Sequence, residues 1–265
     1  KNLPLKRYRR GDFLPRISEG IEGRGKTWRV KMKEDKIRLS PSMMCADTLH
    51  LRRELDFFLE EKIDYLHIDI MDGHYVPNFT LGPGFCASLA RYSPIPLDIH
   101  LMIENADKYI PVFAEAAKAG IKRFPGQKNG VITFHPEADY HPIRQLHLIR
   151  SLGVRAGIAI DPATPIESIK HILPDVEMVC IMTVNPGYSG QKLIPHTLKK
   201  ITELDEYCRS EGYDIEIEVD GNVSWENIPK MTAAGADTLV LGTSSLFDSS
   251  LTREAALARL RGMLP

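Results

Sequence analysis

Residues 65–74 read Tyr65-Leu66-His67-Ile68-Asp69-Ile70-Met71-Asp72-Gly73-His74 (YLHIDIMDGH). Aromatic and β-branched residues followed by an Asp-Gly turn signal predict a β-strand from Tyr65 to Ile70. Alternate side chains of a strand share a face, so His67, Asp69 and Met71 project together. A histidine and a carboxylate two residues apart on one face can grip a divalent metal. A buried His–Asp hydrogen bond at a strand end is the other reading of the same residues.

Two further stretches add to the pattern. Leu97–Met102 (LDIHLM) places Asp98, His100 and Met102 on one face of a second strand. Ile215–Asp220 (IEIEVD) ends on a carboxylate at another Asp-Gly pair, Asp220-Gly221. Three strand ends thus offer two histidines and two or three aspartates, a set that suits a metal site.

Working outward, strand and helix signals alternate from Ile37 onward. Strands are expected at Ile37–Ser40, Tyr65–Ile70, Leu97–Met102, Val131–His135, Val154–Ile160, Val176–Thr183, Ile215–Asp220 and Thr238–Leu241. Asp47 should cap a first helix with Leu51, Leu55, Phe58 and Leu59 as its apolar stripe. Further helices are expected over Phe85–Tyr92, Ala106–Ala119, Tyr140–Ser151, Ile166–Ile172, Pro195–Ser210, Ser224–Ala234 and Arg253–Gly262. Eight strand–helix units favour a closed α/β barrel, (β/α)₈ or TIM, over an open doubly wound sheet.

The chain has 265 residues, 43% hydrophobic and 26% charged, which suits a single α/β barrel as well as it suits two domains. No apolar run is long enough to span a membrane, and no secretory signal pattern is present. Cys45, Cys86, Cys180 and Cys208 lack the spacing of a zinc or redox motif and read as reduced core residues of a cytoplasmic protein. Charge is uneven: residues 1–36 hold 12 Lys or Arg against 5 Asp or Glu, so they carry +7 and the remainder −8. No nucleic-acid module accompanies this basic segment, and it is read as an extension outside the barrel domain at 37–265. Ile21–Arg24 (IEGR) matches a protease-cleavage sequence, and Met32 would serve as a start. Trp28 is expected to anchor the segment.

His67, Asp69, His100, Met182 and Asp220 fall at or near carboxyl ends of expected strands, the face on which barrel active sites lie. Turns at Gly187–Gly190, Gly221-Asn222 and Gly242-Thr243 follow strands six, seven and eight. Each alone reads as a tight turn or cap; three in consecutive loops point to a phosphate held by backbone N–H groups.

From Ile37 onward the chain resembles ribulose-phosphate 3-epimerases. The blocks carrying the resemblance are SPSMM (Ser40–Met44), HIDIMDGHYVPN (His67–Asn78), LDIHLM, MTVNPGYSGQ (Met182–Gln191), EVDGNV (Glu218–Val223) and the Gly242 turn. The resemblance implies a (β/α)₈ barrel with one divalent metal per chain, zinc before iron, manganese or cobalt. It implies epimerisation at C3 of a phosphorylated ketose, D-ribulose 5-phosphate to D-xylulose 5-phosphate. His67, Asp69, His100 and Asp220 would hold the metal, and Asp69 and Asp220 would also exchange protons on opposite faces of the substrate. One of the two aspartates should be ionised and the other protonated. Ser42 would lie against the substrate, with Met71, Met102 and Met182 over the reacting carbons. Gly187, Ser189, Gly190, Gly221, Asn222, Gly242 and Thr243 would complete the substrate and phosphate contacts. A homo-oligomer without nucleic-acid or membrane partners is expected.

The chain departs from the family pattern in the extension, in a longer link at 121–130, at Asn222, and in the turn Gly242–Phe247. Pentulose-phosphate epimerases commonly have Gly-Gly where this chain has Gly221-Asn222, and the turn looks more like the allulose-6-phosphate 3-epimerase branch; both bear on the length of the sugar. A phosphate-binding decarboxylase is a rival reading, but its Asp-x-Lys-x-x-Asp motif is met here by His67-x-Asp69 without a lysine. A catalytically silent sugar-phosphate-binding barrel is the non-enzyme alternative.

Overall fold

A computed structural model describes residues 36–119, 124 and 129–264. All of the extension except Lys36, with the expected anchor Trp28, and most of the 121–130 link lie outside the described residues. Eight strands run parallel: β1 (Arg38–Pro41), β2 (Leu66–Met71), β3 (Leu97–Met102), β4 (Val131–Phe134), β5 (Arg155–Ile160), β6 (Met178–Met182), β7 (Glu216–Asp220) and β8 (Thr238–Leu241). Their order is β1-β8-β7-β6-β5-β4-β3-β2. The ends meet where Ser42 bridges His67, Tyr65 N–H donates to Leu39 O at 3.2 Å, and Met43 N–H donates to His67 O at 2.8 Å. These contacts bring the sheet round into the (β/α)₈ barrel.

Around it run α1 (Leu51–Glu60), α2 (Pro83–Tyr92), α3 (Ile110–Ala117), α4 (Pro142–Ser151), α5 (His196–Glu211), α6 (Ile228–Ala234) and α7 (Arg253–Arg261). The helix expected at Ile166–Ile172 is replaced by single 3₁₀ turns at Ile166–Ser168 and Leu173–Asp175. Prolines at 165 and 174 and three β-branched isoleucines work against a longer helix. Asp47 caps a 3₁₀ turn, Thr48–His50, ahead of α1, accepting from Leu49 N at 3.0 Å. Leu55 and Phe58 face the sheet as expected, but Leu59 is 45% exposed, and the inward place is shared by Glu54 against Arg253.

Every residue of β2 and β3 is buried, because the two faces of a barrel strand meet different interiors. Leu66, Ile68 and Ile70, with Leu97, Ile99 and Leu101, join one large apolar cluster with the helices. The opposite residues point down the barrel axis, and this inner space is largely polar. Near the amino ends, Tyr65 OH donates to Glu216 Oε2 at 3.1 Å and Arg155 reaches both residues at 2.8 Å. Above them lie Asp98, His67, Glu218 and Cys180, and above those Asp69, His100 and Asp220. Gly157 leaves room on β5: a Cβ there would come within 2.7 Å of the Thr133 methyl and 2.9 Å of Met178 O. Among the described residues, no helix is long and apolar enough to cross a membrane. All four cysteines are free.

Candidate active site

The strand period brings together at one end of the barrel what the sequence spreads over about 150 positions. His67 Nε2 lies 3.2 Å from Asp69 Oδ1 and 3.9 Å from Asp220 Oδ2. His100 Nδ1 lies 3.6 Å from Asp69 Oδ1 and 3.8 Å from Asp220 Oδ2. One ligand atom from each of these four residues lies within 4.8 Å of the other three.

The proton inventory of the set decides what it can hold. His67 Nδ1 meets Asp98 Oδ2 at 2.6 Å, and a carboxylate accepts, so Nδ1 is the natural place for the ring proton. In the neutral ring that leaves Nε2 as a lone pair facing two carboxylates. His100 Nδ1 is buried and has no hydrogen-bond partner among the described residues. Its nearest carboxylate oxygen is too far for a hydrogen bond. Two imidazole nitrogens and two carboxylate oxygens therefore converge as acceptors, which fits a divalent cation.

Electrostatics separates the two aspartates. Burial by itself would raise Asp69, but the charge on His67 and the contacts of both imidazoles hold its carboxyl well below the usual range. Asp220 is pushed up to about 7, by burial first and then by the charge of Asp69. Burial would lower His67, yet Asp98 and Asp69 outweigh it and hold the ring well above an ordinary histidine. His100 is pushed down to about 4, chiefly by burial.

Over this set opens a cleft. Ser42, Met71, Met102 and Met182 line it beside the aspartates, and Gly187, Ser189, Gly190, Gly221, Asn222, Gly242 and Thr243 line its far end. His67 and His100 lie beneath its floor, fully buried. Gly221 has φ +111° and its α-hydrogen side faces Val184, where a Cβ would lie 2.5 Å from a methyl carbon. Asn222 takes φ +45°, a conformation that asparagine tolerates better than most residues. Its carboxamide accepts from Leu193 N at 3.3 Å and from Asn227 Nδ2 at 2.8 Å, and donates to Ser244 Oγ at 3.4 Å. The backbone amides of Asn222, Val223 and Ser244 donate to no carbonyl among the described residues. Among the described residues no Lys or Arg lines the cleft, and backbone dipoles are what these offer an anion at this end.

Sequence reasoning missed several neighbours. Asp98 was visible on the face of His100 but went without a role; the structure gives it to His67. His135, just past β4, lies against His100, and Glu218 lies beneath the set with its carboxyl raised by burial and by Asp98. Met44, Cys45 and Ser244 also line the cleft. The signal for His135 was its alternation with Thr133 along Val131–His135, which puts both on the axial face.

Comparison with known proteins identifies the chain. A family model, the ribulose-phosphate 3 epimerase family, matches residues 38–247. The ribulose-phosphate 3-epimerase of Bacillus subtilis is 39% identical over 227 residues, 85% of this chain and 99% of its own. That of Escherichia coli is 40% identical over 211 residues, 79% of this chain and 88% of its own. That of Methanocaldococcus jannaschii is 40% identical over 231 residues, covering 84% and 93%. Among solved structures, a tryptophan synthase α-subunit from Pyrococcus furiosus shares the fold at TM-score 0.57 and 18% identity, covering 88% of this chain and 98% of that one. A thiamine phosphate pyrophosphorylase from the same organism does so at TM-score 0.55 and 11% identity, covering 88% and 96%. The chain belongs to the ribulose-phosphate 3-epimerase family, a family of carbohydrate-acting isomerases.

Proposed function

We propose, with that membership as premise, that the protein interconverts D-ribulose 5-phosphate and D-xylulose 5-phosphate by proton exchange at C3. The observation that carries the reading is the convergence of the Asp69 and Asp220 carboxyls, beside His67 and His100, at the floor of one cleft. Inversion next to a ketone needs a base on one face of the carbon and an acid on the other. Two carboxyls of opposite protonation meet that need, and they exchange roles in the reverse reaction. Asp69 takes the C3 proton, leaving an enediolate, and Asp220 returns one from the opposite side.

A divalent cation held by His67, Asp69, His100 and Asp220, here assigned as one zinc ion per chain, would polarise the ketone and offset the charge developing on its oxygen. Ser42 orients Asp69. Met71, Met102 and Met182 give the reacting carbons a soft, apolar wall without a competing acid or base. The glycine turns with Asn222 and Thr243 receive the phosphate, which fixes how far along the cleft C3 comes to rest. Exposed Tyr109, Val112, Tyr140 and Ile143, on or beside α3 and α4, support a homo-oligomer.

A second reading, D-allulose 6-phosphate as substrate, is favoured by the Asn222–Ser244 contact. Those residues depart from the pentulose pattern at the phosphate end, where a sixth carbon must be accommodated. The test is metal analysis together with turnover on both sugars, before and after chelation. The expected result is about one divalent metal per chain, activity abolished by the chelator, and the higher kcat/KM on ribulose 5-phosphate. Full activity in a metal-free preparation refutes the mechanism; a higher kcat/KM on allulose 6-phosphate replaces the substrate.

A further inference from the structure

Beneath the cleft His100 has a companion that no carboxylate duplicates. His135 Nε2 lies 2.9 Å from His100 Nε2, both rings are fully or almost fully buried, and the rings stack with centroids 5.1 Å apart. Two imidazole nitrogens at that distance share one proton between them: with none, two lone pairs oppose each other, and with two, the hydrogens clash. Which ring owns the proton follows from what lies beyond. His135 Nδ1 faces Asp161 Oδ1 at 3.3 Å and Glu137 Oε2 at 3.7 Å, and carboxylates call for a proton on that nitrogen. His100 Nδ1 faces Asp69 and Asp220 across the proposed cation position.

We infer that His135 is a positioning residue that fixes the His100 tautomer: its bare Nε2 accepts from His100 Nε2–H, so that His100 Nδ1 presents a lone pair to the cation. The inference rests on the proposed reading that His100 offers Nδ1 to a divalent metal. The proton order it requires runs in one direction, from His100 Nε2–H to His135 Nε2, with the His135 Nδ1 proton on the side of the Asp161 and Glu137 carboxylates.

The surroundings hold His135 in place. Tyr75 packs on its ring with centroids 4.8 Å apart and donates to Asp161 Oδ2 at 2.8 Å. Glu137 Oε1 accepts from Asp161 N at 2.9 Å and from Thr164 Oγ1. Lys200 Nζ donates to the carbonyls of Asp161 and Pro162, each at 2.8 Å. The ring therefore cannot turn without breaking contacts to segments after β2, β4 and β5. His67 is served differently, by the single carboxylate of Asp98. The two histidines of the set have different supports, one a carboxylate and one a second imidazole backed by carboxylates.

The experiment compares the parent with His135→Leu, which removes the acceptor, and His135→Gln, whose carboxamide oxygen can stand where Nε2 stood. Zinc affinity is read by competition with a chromophoric chelator, and the protonation of each imidazole nitrogen is read from ¹⁵N shifts of the zinc-loaded proteins. We expect His135→Leu to lose about 10- to 100-fold in zinc affinity, and His135→Gln to recover most of it. The loaded parent should show His135 with its proton on Nδ1 and a bare Nε2. Unchanged affinity in a folded His135→Leu protein, a proton on His135 Nε2 in the loaded parent, or a folded His135→Gln protein as weak as the leucine variant each overturns the inference. If His135→Leu does not fold, the glutamine variant and the parent spectrum still decide it. A parent that takes up no zinc sinks the proposed function and this inference together, whereas a zinc-binding parent with any of the three adverse results sinks this inference alone.

Discussion

Ser42 Oγ donates to Asp69 Oδ2 at 2.9 Å, across the seam where β1 meets β2. The other oxygen, Oδ1, faces His67 and His100 at 3.2 and 3.6 Å. The two oxygens of one carboxylate thus have separate surroundings, one lining the histidine pair and one tied to a hydroxyl in the wall of the cleft.

That division makes Ser42→Ala informative. The hydrogen bond is to a charged acceptor, and its loss should cost about 1.5–3 kcal/mol, or roughly 10- to 100-fold in kcat. Zinc content should stay at the parent level, because Oδ1 is untouched. Steady-state kinetics with metal analysis checks both halves; a loss of zinc along with rate would mean that the hydroxyl acts on the metal set instead.

Asp220→Asn and Asp69→Asn should differ in which epimer still exchanges its C3 hydrogen. Each keeps a group of similar size but removes one carboxyl. Each should lose epimerisation by at least roughly 10², yet retain exchange with solvent from one epimer, the opposite one in the two variants. Deuterium uptake into each sugar by NMR, on metal-replete protein, is the measurement. Equal exchange of both epimers in either variant is incompatible with aspartates acting on opposite faces.

Zinc binding should strengthen as pH rises. His67 is held well above the ordinary histidine value in the metal-free protein, by Asp98 and Asp69 against burial, so a cation must displace that proton. Apparent affinity should rise by about tenfold per pH unit while that proton is being released, and level off once pH passes the raised His67 value. Chelator competition from acid to alkaline pH, with a direct count of protons released into weak buffer, checks the sign.

Gly221→Ala should damage the phosphate end selectively. At φ +111° an added Cβ is both strained and 2.5 Å from the Val184 methyl. A stability loss of about 1–3 kcal/mol is expected from the strain. KM should rise more than kcat falls, since the displaced loop binds the part of the substrate that does not react. Thermal melting and initial rates separate the two effects.

Much of this architecture was legible because a barrel strand carries its signal in its own period. Leu97–Met102 and Thr238–Leu241 fall on the expected bounds, and His67, Asp69, His100 and Asp220 could be grouped by counting alternate positions. Two kinds of residue escaped. The segment after β5 has helical spacing at Ile166, Ile169 and Ile172, but its prolines leave only isolated turns. His135 belongs with His100 only after β3 and β4 pair in register, with His100 opposite Thr133. Periodicity gives the face on which a side chain lies; it does not give the neighbour across the axis. The glycine turns were visible individually, but their convergence on one end of the cleft depends on β6, β7 and β8 lying side by side.

The segregation of the barrel interior from its jacket has a practical consequence. On β2, Leu66, Ile68 and Ile70 answer to the helices, while His67, Asp69 and Met71 answer to the cleft, and the two sets share no packing cluster. Even and odd positions of one strand can therefore be randomised in separate libraries, one screened for thermal survival and the other for turnover. A gain found in the first should transfer onto winners from the second with little interference.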